Sequence, residues 1–179
     1  MIDIRWYGRG GQGAFTAARL LGRVMSVYEN RFALAYPSFG PERRGAPVWS
    51  FTRIDDTKVL DRSTPDQSDY LIILDETLIK EDTFDVLKEG GVVIINTADP
   101  DRYQDARFKV ITLDATKMAL ETLGRPITNI TMMGAFLGAC DLIDVDKADQ
   151  VIKDHFSKKL YEKNSKCLKL AYETVKEGL

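Results

Sequence analysis

Apolar runs alternate with amphipathic stretches along the chain, and this pattern predicts strands that are followed by helices. The predicted strands span residues 2–7, 32–36, 48–54, 70–74, 92–95 and 109–113. The run at 70–74 is nearly continuous in apolar residues, which is typical of a strand covered on both faces in a parallel sheet. The strand at 48–54 is the candidate for an antiparallel hairpin element.

Apolar residues at helical spacing predict helices over 14–28, 77–88, 115–123 and 130–139. We expect Gly90 and Gly91 to supply a left-handed cap for the second of these, and Thr128 or Asn129 to cap the fourth. Residues 146–177 contain neither proline nor glycine, and two apolar stripes predict one long helix or two joined helices there. The alternation predicts a single domain over 1–179: a three-layer α/β/α, Rossmann-like fold with a mainly parallel sheet and C-terminal helices.

The amino-acid composition argues against a nucleic-acid-binding, membrane or secreted protein. The chain has 179 residues, of which 44% are hydrophobic and 29% charged, as expected for an ordinary soluble globular protein. Its 25 basic and 27 acidic residues give a net charge of −2, without the basic footprint of a dedicated nucleic-acid binder. No apolar run approaches the ~20 residues that span a bilayer, and the first residues lack a signal-peptide pattern. We therefore expect a cytoplasmic protein with no nucleic-acid or membrane partner.

Thiols and imidazoles are scarce. The sequence has two cysteines, Cys140 and Cys167, and one histidine, His155. An iron–sulfur cluster normally takes four thiolates, and a zinc site three or four Cys, His or carboxylate ligands. We therefore expect this chain to hold no cluster and no metal by itself, and we assign no catalytic residue. His155 lies in a charged helical stretch and is expected at the helix surface or the edge of the core.

A glycine-rich turn lies between the first predicted strand and the first predicted helix. Gly8, Gly10 and Gly13 have the spacing G-x-G-x-x-G, and Gly11 adds a fourth glycine. Such a turn brings backbone N–H groups close to an anion at the start of a helix. The residues proposed to bind a ligand here are Gly8, Arg9, Gly10, Gly11, Gln12 and Gly13, with Arg9 adding a positive charge.

A dinucleotide site would need an acidic residue at the end of the second strand. Here Pro-Ser-Phe follows that strand at 37–39, and Glu29 precedes it. The sequence therefore favours a phosphate or a partner loop over NAD or FAD, and leaves open a tight turn without a ligand.

A second unusual loop spans residues 37–47. It places Arg43 and Arg44 between Gly-Pro and Gly-Ala-Pro. The prolines stiffen the loop and so lower the entropy lost on binding. A guanidinium presents a planar fork of donors that fits carboxylate or phosphate. Because Phe39 lies in an otherwise polar loop, this segment is interpreted as a docking surface, and a solvated turn is the alternative.

Polar residues follow several predicted strands or begin the helices near them. Asp75, Asn96 and Asp114 follow strands, and Asn129 begins a helix. Ligands gather at the carboxyl ends of parallel strands, so these side chains are expected to share one edge of the sheet. Helix and turn capping is the alternative role for each.

Three segments together resemble the gamma subunits and domains of the 2-oxoacid:ferredoxin oxidoreductases, in their pyruvate-type form. They are residues 4–13, 16–21 and 37–48. Shorter later matches agree at residues 74–75, 96–97, 114–116, 123–126, 129 and 162–164. One departure is Tyr7, where the family often has histidine.

The resemblance implies a complex that decarboxylates a 2-oxoacid on thiamine diphosphate with Mg²⁺. The complex passes electrons through iron–sulfur clusters to ferredoxin and transfers the acyl group to coenzyme A. Alpha, beta and delta subunits would be the partners and would hold these cofactors. The glycine turn and the Arg43–Arg44 loop would lie at an inter-subunit cleft, against the thiamine-binding chains or the phosphates of coenzyme A. The alternatives are a branched-chain or 2-oxoglutarate relative, a stand-alone Rossmann-like nucleotide-binding oxidoreductase, and a non-catalytic scaffold.

Overall fold

The computed structural model describes residues 1–38, 44–140 and 142–179. Within them, six strands form one sheet in the order β2-β3-β1-β4-β5-β6. The strands are β1 Ile2–Arg9, β2 Phe32–Pro37, β3 Pro47–Asp55, β4 Ser68–Ile73, β5 Leu87–Asn96 and β6 Lys109–Leu113. The pairs β1–β4, β4–β5 and β5–β6 are parallel, while β1–β3 and β2–β3 are antiparallel. The predicted α/β class with a mainly parallel sheet is confirmed, and so is the antiparallel strand near 48–54.

The described helices are α1 Ala14–Tyr28, α2 Ala115–Leu123, α3 Asn129–Ala139, α4 Val145–His155 and α5 Lys158–Glu177. The C-terminal region is therefore two helices rather than one. Phe156 and Ser157 separate them in extended conformations, with ψ angles of 151° and 152°. Phe156 is half-buried against the core, and this anchor fixes the junction.

One face of the sheet packs against the α-helices. Trp6 is fully buried on this face and donates from Nε1 to Thr52 Oγ1, 3.1 Å away, and that hydroxyl donates to the Ala18 carbonyl of α1. Helix α3 is buried on almost every side and runs against α5. A Cβ built at Gly134 would lie 2.1 Å from the Leu168 carbonyl oxygen, so the small residues of α3 allow the close packing expected of them.

The other face has a thinner cover. Its core contains Leu71, Ile73, Val93 and Ile95, and two short 3₁₀ segments, Glu76–Leu78 and Thr83–Val86, lie over it. The helix predicted over 77–88 is therefore wrong, and Gly90 and Gly91 lie inside β5 rather than at a helix end.

Side chains that bond to their own backbone explain this difference. Asp75 accepts a hydrogen bond from the Thr77 N–H, and Thr83 Oγ1 accepts one from the Lys80 N–H at 2.7 Å. Such local bonds offer the backbone an alternative to the helix. The chain therefore forms tight turns between β4 and the adjacent β5, and the layer on this face is built from 3₁₀ turns.

Candidate functional site

The candidate site is a crevice between the carboxyl ends of β1 and β4. These strands are parallel neighbours, but the chain leaves them toward opposite faces of the sheet. After β1 it enters α1 on the helical face, and after β4 it enters the 3₁₀ turns on the other face. Strand ends that diverge in this way form the usual ligand crevice of an open α/β sheet. The glycine turn lies on one side of the crevice and Asp75 on the other.

The glycine turn uses its glycines for conformation and for close approach. Gly11 and Gly13 have φ angles of +97° and +82°, in the left-handed region where a side chain is strained. A Cβ at Gly13 would lie 2.6 Å from Asn129 Nδ2, and that amide donates to the Gly13 carbonyl at 3.3 Å. A Cβ at Gly8 would lie 3.3 Å from Leu74 Cβ. The turn is therefore packed against both α3 and the end of β4.

Helix α1 begins at this turn with an open N-terminus. Gly13 is its N-cap residue and provides no side-chain cap, and the first turn holds no acidic residue. The first N–H groups of a helix have no intrahelical carbonyl to bond to, and together they carry a partial positive charge. The start of α1 therefore offers several donors to an anion.

Arg9 and Gln12 tie the turn to β4 through one carboxylate. Arg9 Nε lies 2.9 Å from Asp75 Oδ2, and Gln12 Nε2 donates to the same oxygen at 3.1 Å. Arg9 also donates to Thr77 Oγ1 and to the Gly45 carbonyl. Burial opposes ionisation of Asp75, but hydrogen bonds from Thr77, Gln12 and Arg9 outweigh it and lower its pKa. The charge of Arg9 is thus balanced within the protein.

The second half of the proline-rich loop pairs with the glycine turn. The Gly10 N–H donates to the Ala46 carbonyl at 2.8 Å, and the Gly45 N–H donates to the Gly10 carbonyl at 2.9 Å. Arg44 is exposed, and a Cβ at Gly11 would lie 3.9 Å from its Cγ. The Arg44 guanidinium forms no ion pair with a carboxylate of the described residues. The structure therefore brings Arg44 to the glycine turn, whereas Arg43 and Phe39 lie outside the described residues.

Two cavities flank the turn. One has a volume of about 320 Å³ and contacts the start of α1 and the ends of β2 and β3. The other has a volume of about 310 Å³ and contacts Gln12, Asp75 and Asn96. The turn thus faces open space toward α1 as well as toward β4.

The remaining polar residues predicted at strand ends have structural partners. Asn96 donates to the Leu74 carbonyl at 2.9 Å and accepts from the Thr116 N–H. Asp114 caps α2 by accepting from the Lys117 N–H at 2.8 Å, so for this residue the capping alternative holds. Asp75, Asn96 and Asn129 do share the predicted edge with the glycine turn.

Sequence reasoning missed several partners in this region. Glu76 accepts from Thr97 Oγ1 at 2.9 Å and from the Tyr103 hydroxyl at 3.0 Å. Desolvation, reinforced by Glu76, raises the pKa of Tyr103. Thr77 was also missed, although a threonine two residues after an aspartate is a recognisable turn signal. No comparable signal marks the partners of Glu76, which are distant in sequence.

Among the described residues, none at the end of β2 is the acid that would hold a nucleotide ribose. Pro37 ends this strand, and Ser38 follows it. Glu29 forms an ion pair with Lys147 of α4, at 2.8 Å between Oε1 and Nζ. Its carboxylate is therefore engaged away from the crevice.

The donor set does not fit an iron–sulfur cluster. Cys140 and Cys167 are both buried thiols, and burial raises the pKa of Cys167. His155 is exposed at the end of α4, as expected. Across residues 1–38, 44–140 and 142–179, no group of three or more His, Cys, Asp or Glu side chains could hold a metal ion. In the same part of the chain, no helix is long and apolar enough to cross a membrane.

The crevice, the glycine turn and the helix start without a side-chain cap define the class: an α/β protein that presents backbone N–H groups and arginine side chains at the carboxyl edge of its sheet. A family model described as "Pyruvate ferredoxin/flavodoxin oxidoreductase" matches residues 3–174, and the chain belongs to that family.

Relatives match over nearly their whole length. The pyruvate synthase subunit PorC of Methanothermobacter thermautotrophicus is 46% identical over 178 residues, covering 99% of this chain and 97% of that one. The pyruvate/ketoisovalerate oxidoreductases common subunit gamma of Thermococcus litoralis is 42% identical, with coverages of 97% and 96%. The crystal structure of the pyruvate oxidoreductase subunit PORC of Thermotoga maritima superposes with a TM-score of 0.83 at 28% identity, covering 96% of this chain and 95% of that one.

Proposed function

We propose that this chain is the gamma subunit of a multisubunit pyruvate:ferredoxin oxidoreductase. The complex converts pyruvate, coenzyme A and oxidised ferredoxin into acetyl-CoA, CO₂ and reduced ferredoxin. Support comes from relatives that carry gamma-subunit or PorC names and match over 96% or more of their length. We propose further that residues 1–179 form one gamma-type domain and that the complex is cytoplasmic.

The chain's own part is to complete the assembly, not to perform the redox chemistry. Thiamine diphosphate, Mg²⁺ and the iron–sulfur clusters would be held by the alpha, beta and delta partners, where they would supply decarboxylation and electron transfer to ferredoxin. Two buried cysteines and one exposed histidine support this division.

Within the complex, we propose that the glycine turn and Arg44 bind the phosphates of coenzyme A at an inter-subunit cleft. The observation that supports this binding role is the difference in ion pairing between the two arginines at the turn. Asp75 neutralises Arg9, whereas Arg44 is exposed without an ion pair to the described residues. A phosphate at the start of α1 would accept hydrogen bonds from the backbone N–H groups of the helix and from the Arg44 guanidinium.

The test is the Arg44→Ala variant in the assembled complex. A hydrogen bond to a charged group contributes about 1.5–3 kcal/mol, so we expect the apparent KM for coenzyme A to rise about tenfold or more. The KM for pyruvate should stay the same. The matched control is Arg62→Ala, which removes an exposed arginine from the loop between β3 and β4, at the opposite edge of the sheet.

Two results bear on the alternatives. If Arg44→Ala weakens subunit assembly but leaves the KM for coenzyme A unchanged, the loop contacts a partner chain instead of the substrate. If subunit assembly and the KM for coenzyme A both stay at wild-type values, the loop contacts neither a partner chain nor the substrate through Arg44, and the proposed binding role is wrong. Pairing Arg44→Ala with Arg43→Ala extends the same test to the neighbouring guanidinium.

A second substrate is favoured by one relative. The Thermococcus litoralis protein is named as a gamma subunit common to pyruvate and ketoisovalerate oxidoreductases. The same chain could therefore serve two complexes with different thiamine-binding partners. Purification through a tag on this chain, followed by ferredoxin reduction assays with pyruvate and with ketoisovalerate, distinguishes one partner set from two.

A further inference from the structure

A groove lies beside the candidate site, between the α2–α3 loop and the α4–α5 junction. It has a volume of about 600 Å³. Thr16 of α1 and Asn129 of α3 line it, and Asn129 also contacts Gly13 of the glycine turn. We refer to it as the basic groove, because Arg125, Lys159 and Lys163 lie along it.

The positive charges of the groove are not neutralised by acidic side chains of the described residues that line it. None of its described lining residues is acidic. Arg125, Lys159 and Lys163 are exposed, and none of them forms an ion pair with a described carboxylate. His155 also lines the groove, and desolvation together with the cations Arg19 and Arg23 of α1 lowers its pKa.

The lysines at the start of α5 oppose the helix dipole. Helix α4 has the favourable arrangement, with Asp144 as its N-cap, an acid in its first turn and Lys153 and His155 in its last. Helix α5 begins with Lys158 and Lys159, has no acid in its first turn and has no side-chain cap. Cations at a helix N-terminus are unfavourable, because that end of the helix carries a partial positive charge. An anionic group bound in the groove would offset this unfavourable interaction, because it would pair with the lysines and with the positive end of the helix dipole.

Apolar side chains lie among these cations. Ile127 is 45% exposed and Leu160 is 51% exposed. Leu123 and Phe156 lie half-buried beside them in the groove. Apolar surface rimmed by charge is typical of a protein docking site.

We propose that the basic groove docks an acidic segment of another polypeptide of the oxidoreductase complex. Apolar side chains of that segment would pack on Ile127 and Leu160, while its carboxylates pair with Lys159, Lys163 and Arg125. The inference rests on the proposed function, since it takes its partner from the assembly. It assigns the contact to a surface separate from Arg44, so the two proposals can fail independently.

The test reverses the charge of the groove in the full complex. In the variant Lys159→Glu with Lys163→Glu, we expect partner subunits to dissociate during size-exclusion chromatography at a salt concentration that retains them on the wild type. The expected loss of affinity is about tenfold or more, as for charged pairs at an interface. High salt should weaken the wild-type complex in the same direction, because screening acts on the same contacts.

A matched control and a second variant separate docking from folding. Lys153→Glu with Lys166→Glu makes the same change in net charge, with one substitution on the neighbouring α4 and one on α5, but neither lysine lines the groove, so assembly should persist. Leu160→Asp removes an exposed apolar anchor and should also release the partner. Circular dichroism of each purified complex or released chain checks that helix content is unchanged.

Two outcomes would overturn the proposal. One is full retention of all partners in both the charge-reversed and the Leu160→Asp variants. The other is intact assembly with a raised KM for coenzyme A, which would make the groove part of the substrate site. If Arg44→Ala proves silent while charge reversal releases the partner, the groove proposal stands and the coenzyme A proposal fails.

Discussion

Arg9 and Arg44 flank the same glycine turn, yet their surroundings differ. Arg9 faces β4, where Asp75 and Thr77 accept its hydrogen bonds. Arg44 faces solvent and forms no ion pair with the described residues. Both are arginines beside a glycine-rich turn, but Arg9 fixes the shape of that turn whereas Arg44 has its donors available. A positive charge near an anion-binding loop is therefore evidence for binding only when the protein itself does not neutralise it.

The two sides of the turn also differ in how they respond to substitution. The β4 side and the contact with α3 are packed and hydrogen-bonded, so changes there should reduce stability. On the other side the Arg44 side chain is exposed and forms no ion pair with the described residues, so its replacement should alter binding and leave stability almost unchanged. Substitutions on each side can break this distinction if it is wrong.

The largest effect is expected from Gly13→Ala. The left-handed conformation disfavours a side chain by roughly 1–2 kcal/mol, and the new Cβ would meet Asn129 Nδ2 at 2.6 Å. Displacing that amide also removes its hydrogen bond to the Gly13 carbonyl, which contributes about 1 kcal/mol. We expect the free energy of unfolding to fall by about 2–3 kcal/mol in urea titrations of the purified chain.

Gly124→Ala is the control for this substitution. Gly124 ends α2 with a φ of +72°, and a Cβ there would meet no atom within 4 Å. It should therefore show the conformational strain without the steric contact, about 1–2 kcal/mol. Equal losses at the two positions would mean that Asn129 moves aside freely and does not hold the turn.

A smaller effect, dependent on pH, is expected from Asp75→Asn. The carboxylate accepts from Arg9, Gln12 and Thr77, and its loss should lower the free energy of unfolding by about 1–2 kcal/mol at pH 7. Burial opposes ionisation of Asp75, yet these hydrogen bonds lower its pKa in the folded state. Its contribution is therefore present above the unfolded pKa of about 3.9 and disappears as the pH falls through the folded value.

The measurement compares wild type and Asp75→Asn from pH 7 to pH 3. The difference between their free energies of unfolding should shrink below about pH 5. Asp56→Asn serves as the control, because Asp56 pairs with Arg31 on the surface and is 84% exposed. Its effect should stay below about 1 kcal/mol. A constant difference between wild type and Asp75→Asn across this pH range would show that the carboxylate does not act through its charge.

Much of the site could be predicted from local sequence. The glycine spacing between a strand and a helix predicted the turn, since Gly11 and Gly13 need left-handed backbone. The capping of α2 by Asp114 and the close packing of α3 also follow from residues near one another in the chain. These features depend on backbone preferences and on helical periodicity, which short segments express by themselves.

The rest depends on which strands become neighbours. Asp75 lies 66 positions after Arg9, and they meet only because β4 pairs with β1 while β2 and β3 lie on the other side. The wrong helix at 77–88 has a related cause. Its apolar residues suit a helix, but the direct pairing of β4 with β5 and the hydrogen bonds of Asp75 and Thr83 favour tight turns.

The smallest effects test the contrast between the two arginines directly. Arg9→Ala removes a partly exposed ion pair and two hydrogen bonds, so we expect a loss of about 0.5–1 kcal/mol in the free energy of unfolding. The free energy of unfolding of Arg44→Ala should stay within about 0.5 kcal/mol of wild type, as it usually does for surface substitutions.

A double-mutant cycle with Asp75→Asn sharpens the comparison. The effects of two substitutions on the free energy of unfolding add when the residues are independent, and they fail to add when the residues belong to one network. We expect measurable coupling of Arg9 with Asp75 and none of Arg44 with Asp75. If Arg44 couples to Asp75 as strongly as Arg9 does, the Asp75 carboxylate already neutralises both arginines, and Arg44 would have no free charge to offer a phosphate.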